Sequence, residues 1–238
     1  MSTLISWTDE TWNPTTGCSR VSEGCRNCYA ERLSLRFGRS KKPWTVPNAL
    51  ENIRLHPERL RIPYTWRKPK RVFVNSMSDL FHPLIPDSFV AQVFAVMADV
   101  PKHTFQILTK RPERAATWPG LWTRNIWMGC SVENRTALSR IDAIRSCGAL
   151  TKFVSLEPLL EDLGTLDLRG IHWAIVGGES GPKYRPMRRQ WAESIRDQCR
   201  AQGVAFFFKQ DSGPRTEMRP DLLGRLYHEY PQPEIVTR

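Results

Sequence analysis

Six short apolar runs recur along the chain, and each ends in a cluster of polar residues. The runs are rich in Val, Ile, Phe and Trp. Nearly continuous hydrophobicity of this kind is typical of strands buried on both faces of a parallel sheet. The runs predict strands at 71–79, 105–111, 125–134, 152–158, 172–181 and 204–210, and the N-terminal segment ISWTDETW predicts a further strand.

Helical periodicity fills the intervals between these runs. It predicts helices at about 26–37 and at 87–100, 134–147 and 188–202. Asp87 and Asn134 are suited to begin helices as N-caps, and Gly148 and Gly203 are suited to end them. Strand and helix therefore alternate, which favours a barrel over an open doubly wound sheet. The prediction is an α/β fold, a partial (β/α) barrel of about six or seven units.

A chain of 238 residues with this pattern is expected to form a single domain over 1–238. Within it, a basic stretch at about 36–71 predicts an insertion, and a Pro-rich segment at about 211–238 predicts an irregular tail. The composition, 40% hydrophobic and 25% charged, excludes a mainly disordered chain. There is no long apolar run and no secretory signal at the N-terminus, so we expect a cytoplasmic protein with no membrane partner.

Three of the six cysteines, Cys18, Cys25 and Cys28, form a C-x6-C-x2-C cluster. Three thiolates without a fourth nearby ligand suit a [4Fe–4S] cluster that keeps one iron free of protein ligands. Two alternatives remain open: zinc completed by a distant Cys130 or His82, and no metal at all.

Polar residues also follow the predicted strands, and in a barrel the carboxyl ends of the strands carry the functional residues. These ends are expected to form one shared pocket. They include Ser78, Asp79, Lys110, Arg111, Ser131, Glu133, Glu157, Gly177, Gly178 and Glu179.

Long motifs such as WNPTTGCSRVSEGCRNCYAE, RVFVNSMSDLFHPLIP and WAIVGGESGPKYRPM resemble the three-Cys-motif phage protein family. The similarity covers nearly the whole chain. Members of that family are suspected radical S-adenosylmethionine (SAM) proteins, so the resemblance implies a radical SAM-like barrel, a [4Fe–4S] cluster and SAM.

A more distant similarity runs to radical SAM enzymes of the spore photoproduct lyase type. Ser78-Asp79, Thr109-Lys110 and Ser131 follow successive strands in the order seen there. The resemblance implies that Lys110 and Ser131 lie near SAM and that the backbone of Gly177-Gly178-Glu179 approaches it. Two features depart from the usual pattern: the spacing differs from C-x3-C-x2-C, and the aromatic residue expected before the third cysteine is replaced by Asn27, with Tyr29 following instead.

The chemistry implied by the resemblance is reductive cleavage of SAM, with electrons from an external donor. Lys110 or Arg111 would meet the SAM carboxylate, and Glu133, Glu157 or Glu179 would meet its ammonium or ribose hydroxyls. The implied cofactor-binding residues are Tyr29, Ser78, Asp79, Lys110, Ser131, Glu133, Gly177, Gly178 and Glu179.

The formal net charge of +11 indicates an anionic partner. Eleven bases and two acids lie between Arg36 and Arg71, so this segment carries most of the excess. Cations attract phosphates and aromatic faces stack on unpaired bases. The segment therefore predicts nucleic-acid contacts at Arg39, Lys41, Lys42, Trp44, Trp66, Arg67, Lys68, Lys70 and Arg71.

Two hypotheses follow from the sequence. The first is a radical SAM enzyme that acts on a nucleic acid or nucleotide-like substrate, in modification or repair. The second is a non-catalytic nucleic-acid-binding protein stabilised by zinc or an iron–sulfur cluster. A partner protein that completes the site is left open.

Overall fold

The structure, a computed structural model, describes residues 3–232. In the described part the strands are β1 (Glu10–Trp12), β2 (Thr15–Thr16), β3 (Arg54–Leu55), β4 (Arg71–Val74), β5 (Thr104–Thr109), β6 (Ile126–Ser131), β7 (Thr151–Leu156), β8 (Trp173–Gly177), β9 (Ala205–Gln210), β10 (Asp221–Leu222) and β11 (Arg225–Leu226).

The helices lie between the strands. They are α1 (Tyr29–Arg36), α2 (Ala49–Asn52), α3 (Ile62–Thr65), α4 (Asp87–Asp99), α5 (Pro112–Ala116), α6 (Ser139–Arg145) and α7 (Arg189–Ala201). Single 3-10 turns occupy Glu23–Cys25, Pro57–Arg59 and Arg135–Ala137.

Seven strands form one parallel sheet in the order β1-β4-β5-β6-β7-β8-β9. Each long strand therefore lies beside the next strand of the βα series, and the sheet curls into a half-barrel. Within residues 3–232 no hydrogen-bonded ladder joins β1 to β9. The predicted α/β class and partial barrel are confirmed at this level.

The two faces of the sheet bury different residues. Its outer face packs against the helices through aliphatic side chains such as Val72, Ile107 and Val154. The inner face is filled by a largely aromatic cluster made of Trp7, Phe73, Phe153, Trp173, Ile175 and Phe207.

The inner face becomes polar towards the carboxyl ends of the strands. Phe153 is followed on the same face by Ser155, and Glu157 comes just after β7. Ser131 pairs with Ser155 in the register of β6 and β7, so both hydroxyls lie at one level. The polar end of the half-barrel is therefore the end that can hold a ligand.

The C-terminal segment covers the free edge of β9. The amide of Phe208 donates to the carbonyl of Tyr227 at 2.8 Å, and the amide of Glu229 donates to that of Phe206 at 3.2 Å. Covering an edge strand satisfies its backbone groups and blocks pairing with other chains. The predicted irregular tail thus contains β10, β11 and this edge contact, while residues 233–238 lie outside the described part.

Several predicted boundaries differ from the observed ones. β4 ends at Val74 because Asn75 has a left-handed backbone (φ 67°) and turns the chain. α1 begins at Tyr29, after the 3-10 turn at Glu23–Cys25, rather than at about residue 26. Asp87 is the first residue of α4 and not its N-cap, which is Pro86. No helix within residues 3–232 is long and apolar enough to cross a membrane.

Candidate cysteine site and adjoining cavity

Cys18, Cys25 and Cys28 lie on the loop between β2 and α1, at the carboxyl end of the sheet. The amide of Gly17 donates to the carbonyl of Met77 at 3.0 Å, which ties the loop to the segment after β4. A Cβ atom at Gly17 would lie 2.0 Å from the carbonyl oxygen of Asn52, and φ is +84°. This approach is possible only for glycine.

All three cysteines border one cavity of about 150 Å³. The opposite walls come from the ends of β4, β5 and β6, and include Asn75, Ser76, Ser78, Asp79, Lys110, Arg111 and Ser131. The structure therefore brings the predicted metal ligands together with five of the predicted cofactor-binding residues, Tyr29, Ser78, Asp79, Lys110 and Ser131.

Asp79 organises this wall. Its buried carboxylate accepts hydrogen bonds from the hydroxyl of Thr109 (2.7 Å) and the amide of Lys110 (3.0 Å), and it forms an ion pair with Arg111 (3.0 Å). A guanidinium nitrogen of Arg111 lies 3.6 Å from Sγ of Cys18. The Asp79 carboxylate thus fixes the Arg111 cation beside the first thiol.

Burial dominates the ionisation of two of the thiols. Together with the charge of Asp79, and against the opposing effect of Arg111, it raises the pKa of Cys18 to about 12. Burial also raises the pKa of Cys28. Cys18 and Cys28 are therefore protonated at neutral pH in the metal-free protein, and binding a metal through their thiolates releases protons.

No three His, Cys, Asp or Glu side chains of residues 3–232 converge so as to hold a single metal ion. The two candidates for a fourth zinc ligand are also engaged elsewhere. Cys130 lies on the outer face of β6, where its thiol donates to the carbonyl of Arg140 at 3.4 Å. In His82, Nε2 pairs with the hydroxyl of Ser19 (2.8 Å), and Nδ1 accepts from the amide of Leu84 (3.1 Å).

A larger cavity of about 490 Å³ adjoins the cysteine cavity on the inner face of the half-barrel. Cys28, Tyr29, Lys110 and Ser131 line both. Its walls combine the rings of Trp7 and Phe73 with polar groups that include Ser155, Glu157, Glu179 and Lys209. The volume and the mixture of apolar walls with a few polar groups are typical of small-molecule sites.

The charged residues of this cavity differ in their partners. Glu157 forms an ion pair with Lys209 at 2.6 Å. Glu179 pairs with Arg185 at 2.5 Å and accepts from Nδ2 of Asn27 at 2.9 Å. The Lys110 ammonium makes no side-chain hydrogen bond or ion pair with any residue in 3–232, so it is available to a ligand that reaches either cavity.

Three residues predicted to bind the cofactor lie outside the lining of both cavities. Glu133 is fully buried behind Gly24 of the cysteine loop and pairs with Arg140 at 2.9 Å. Burial opposes its ionisation, but Lys110, Ser22 and Arg140 together outweigh burial and hold the pKa of Glu133 below its ordinary value. Glu133 therefore supports the loop from behind.

Gly177 and Gly178 serve the packing of the sheet instead. A Cβ atom at Gly178 would lie 2.2 Å from the amide nitrogen of Ser212, and one at Gly177 would lie 3.3 Å from the Glu157 carboxyl carbon. At this point β8 and β9 are joined tightly, and the backbone of Gly178 approaches residues 210–212.

A family model described as "Protein of unknown function (DUF5131)" matches residues 2–230. The chain belongs to this family. Neither the curated proteins nor the solved structures give a match.

In this DUF5131 protein the basic segment does not present all its predicted contacts to solvent. Trp44 is buried (3% exposed), with its indole nitrogen donating to the hydroxyl of Ser40 and its amide to the carboxylate of Glu31. The ring of Trp44 therefore borders the cysteine cavity and is not exposed for the predicted stacking on nucleic-acid bases.

The far end of the basic segment is also engaged. Lys70 pairs with Glu10 at 2.8 Å, and Arg71 pairs with Asp9 at 2.8 Å. Trp66 is partly buried, packed against the core and against His103. These residues lie at the amino end of β4, opposite the cavities, whereas Arg39, Lys41, Lys42, Arg67 and Lys68 are exposed.

Two buried polar residues shape the site: Asn75, which the sequence placed among the strand-end residues without a specific role, and Glu31, which sequence reasoning missed. Asn75 donates through Nδ2 to the hydroxyl of Thr15 at 2.9 Å while its left-handed backbone turns the chain into the cavity wall. Glu31 pairs with Arg20 at 2.7 Å and holds the amide of Trp44 at 2.9 Å. Asn after a strand is a signal for a left-handed turn, but no local signal marked Glu31 as buried.

Proposed function

We propose that the protein is an iron–sulfur enzyme of the radical SAM class, with a radical SAM-like half-barrel, that acts on a nucleic acid or nucleotide-like substrate. The observation that carries the proposal is the shared cavity: three cysteines face the carboxyl ends of β4, β5 and β6 and adjoin a cavity large enough for a small molecule. This arrangement matches what the sequence resemblance implies.

The donor set suits a cluster better than a single ion. The three thiols surround a cavity without converging on one point, and neither Cys130 nor His82 is placed to complete a zinc site. Three thiolates around a shared space can hold a [4Fe–4S] cluster with one iron open to a further ligand. Cys18, Cys25 and Cys28 would hold it.

The bound cluster would supply the electron that cleaves the sulfonium bond of SAM. The protein's own residues would bind and orient SAM. Of the two cations considered for its carboxylate, Lys110 is the better placed, because Arg111 is already committed to Asp79 and Ser19. Among the acids, Glu157 lines the cavity beside Lys209, whereas Glu179 is saturated by Arg185 and Asn27.

The proposal predicts that iron loading depends on the cluster cysteines alone. After anaerobic reconstitution, Cys18→Ala, Cys25→Ala and Cys28→Ala should each lose most of the bound iron and the brown colour, because each removes one of three ligands. Cys199→Ala is the matched control, since Cys199 is a buried cysteine in α7, which packs on the outer face of the sheet away from the cysteine cavity. Metal analysis and visible absorption check the result.

Two outcomes would contradict this assignment. Full iron content in the triple cysteine variant would place the cluster elsewhere. A colourless wild-type protein with stoichiometric zinc would favour the non-catalytic, metal-stabilised nucleic-acid-binding protein instead.

A further inference from the structure

The larger cavity carries an excess of positive charge. Six charged side chains line it: Arg32, Lys110, Glu157, Glu179, Lys209 and Arg215. Four cations against two carboxylates give a net charge of +2. Both carboxylates already have cationic partners, in Lys209 and Arg185. A ligand that compensates the remaining charge must be an anion.

Two of the unpaired cations, Arg32 and Arg215, line the cavity from segments that meet at Gly181 and Gly213. Arg32 and Arg215 are both exposed, and neither side chain forms a hydrogen bond or ion pair with residues 3–232. Arg32 reaches from α1 to Gly181, where an added Cβ would lie 2.1 Å from its Nη1 atom. The amide of Gly181 donates to the carbonyl of Gly213 at 2.9 Å, which joins this point to the loop carrying Arg215.

The interior of the cavity suits a flat ligand with polar edges. The rings of Trp7, Phe73 and Tyr29 line it, with 4.7 Å between the Trp7 and Phe73 centroids. The hydroxyl of Ser155 and the ammonium of Lys209 add hydrogen-bonding groups that the SAM contacts proposed above do not use. An acyl chain would cover these polar groups without offering them hydrogen bonds, at a cost in free energy, whereas a nucleobase offers both ring faces and hydrogen-bonding edges.

We propose that this cavity binds a phosphorylated nucleoside, either free or as one unit of a single strand, with its phosphate held by Arg32 and Arg215. Guanidinium groups bind phosphate oxygens through charge-assisted, often bidentate hydrogen bonds. The inference deepens the proposed function by naming the substrate of the same site and its phosphate contacts. The phosphate contacts then lie at the mouth of the larger cavity and not in the basic segment at 36–71.

Calorimetric titration of the full-length protein, without cluster or SAM, tests the proposal. The probes are ribonucleoside 5′-monophosphates, the corresponding nucleosides, inorganic phosphate and a short single-stranded oligonucleotide. We expect at least one monophosphate or the strand to bind more tightly than nucleoside or phosphate. Arg32→Gln and Arg215→Gln should each weaken that binding by about tenfold, the effect of losing a charge-assisted hydrogen bond.

Arg124→Gln is the matched control, because Arg124 is exposed just before β6, at the opposite end of the sheet. Binding of the monophosphate supports a free nucleotide as substrate, and binding of the strand alone supports a nucleotide unit within nucleic acid. The proposal is overturned if no probe binds, if inorganic phosphate binds as tightly as the nucleotides, or if the Arg124 variant loses as much affinity as the other two. Iron loading of the Arg32 and Arg215 variants is measured separately. It tests the assignment of the iron–sulfur cluster and does not test the proposed nucleotide binding.

Discussion

His82 lies beneath the cysteine loop with both ring nitrogens occupied. Its Nδ1 accepts a backbone amide hydrogen, so the neutral ring carries its proton on Nε2 and donates it to Ser19. Burial, assisted by the nearby charge of Arg111 and opposed by that of Asp79, lowers the pKa of His82 to about 4. Ser19, which follows Cys18 in the chain, is therefore held by a His82 ring that is neutral in the folded protein.

This arrangement predicts an acid-sensitive stability. The unfolded histidine has a pKa of about 6.5, so its contribution is complete above that pH and is lost as the pH falls towards the folded value. Between about pH 7 and about pH 5 the free energy of unfolding should fall by about 2 kcal/mol from this residue. Urea unfolding at the two pH values measures this fall in the free energy of unfolding. The His82→Gln variant should lack the part of the fall that comes from His82. An equal decline in both proteins would contradict the assignment.

At the scale of the elements, apolar runs located the long strands because both faces of a half-barrel sheet are buried over most of their length. Periodicity could not tell which strand-end residues point into the cavity. Glu133 looked like a rim residue but is buried behind Gly24, since the cysteine loop folds over it. Trp44 looked exposed in a basic segment, yet a long-range contact with Glu31 buries it.

Gly129 in β6 shows how tightly the elements pack. A Cβ atom there would lie 2.4 Å from the Phe153 ring, which is itself held against Trp173 at 5.6 Å. Gly129→Ala should therefore destabilise the protein by about 1–3 kcal/mol through overpacking. In a Phe153→Leu background, Gly129→Ala should lower the free energy of unfolding by less. A double-mutant cycle by urea unfolding measures this coupling between positions 129 and 153. A single variant as stable as wild type would contradict this packing.

At the scale of the whole molecule, the half-barrel collects at one end what the sequence distributes widely. Cys28 from the N-terminal loop, Lys110 after β5, Glu157 after β7 and Lys209 in β9 all line one cavity. The aromatic cluster closes the inner face towards the other end. Parallel strands in sequential order bring their carboxyl ends to a single edge, which is why the shared pocket could be predicted while its individual contacts could not.

The most direct test of the central claim is the fate of SAM on the reconstituted protein. With dithionite under anaerobic conditions, the account predicts methionine and 5′-deoxyadenosine in equal amounts, measured by liquid chromatography and mass spectrometry. Lys110→Gln should keep its cluster but need more SAM for the same rate, while Lys102→Gln, exposed before β5 at the opposite end, should behave as wild type. A protein with a full, reducible cluster that leaves SAM intact would contradict the account.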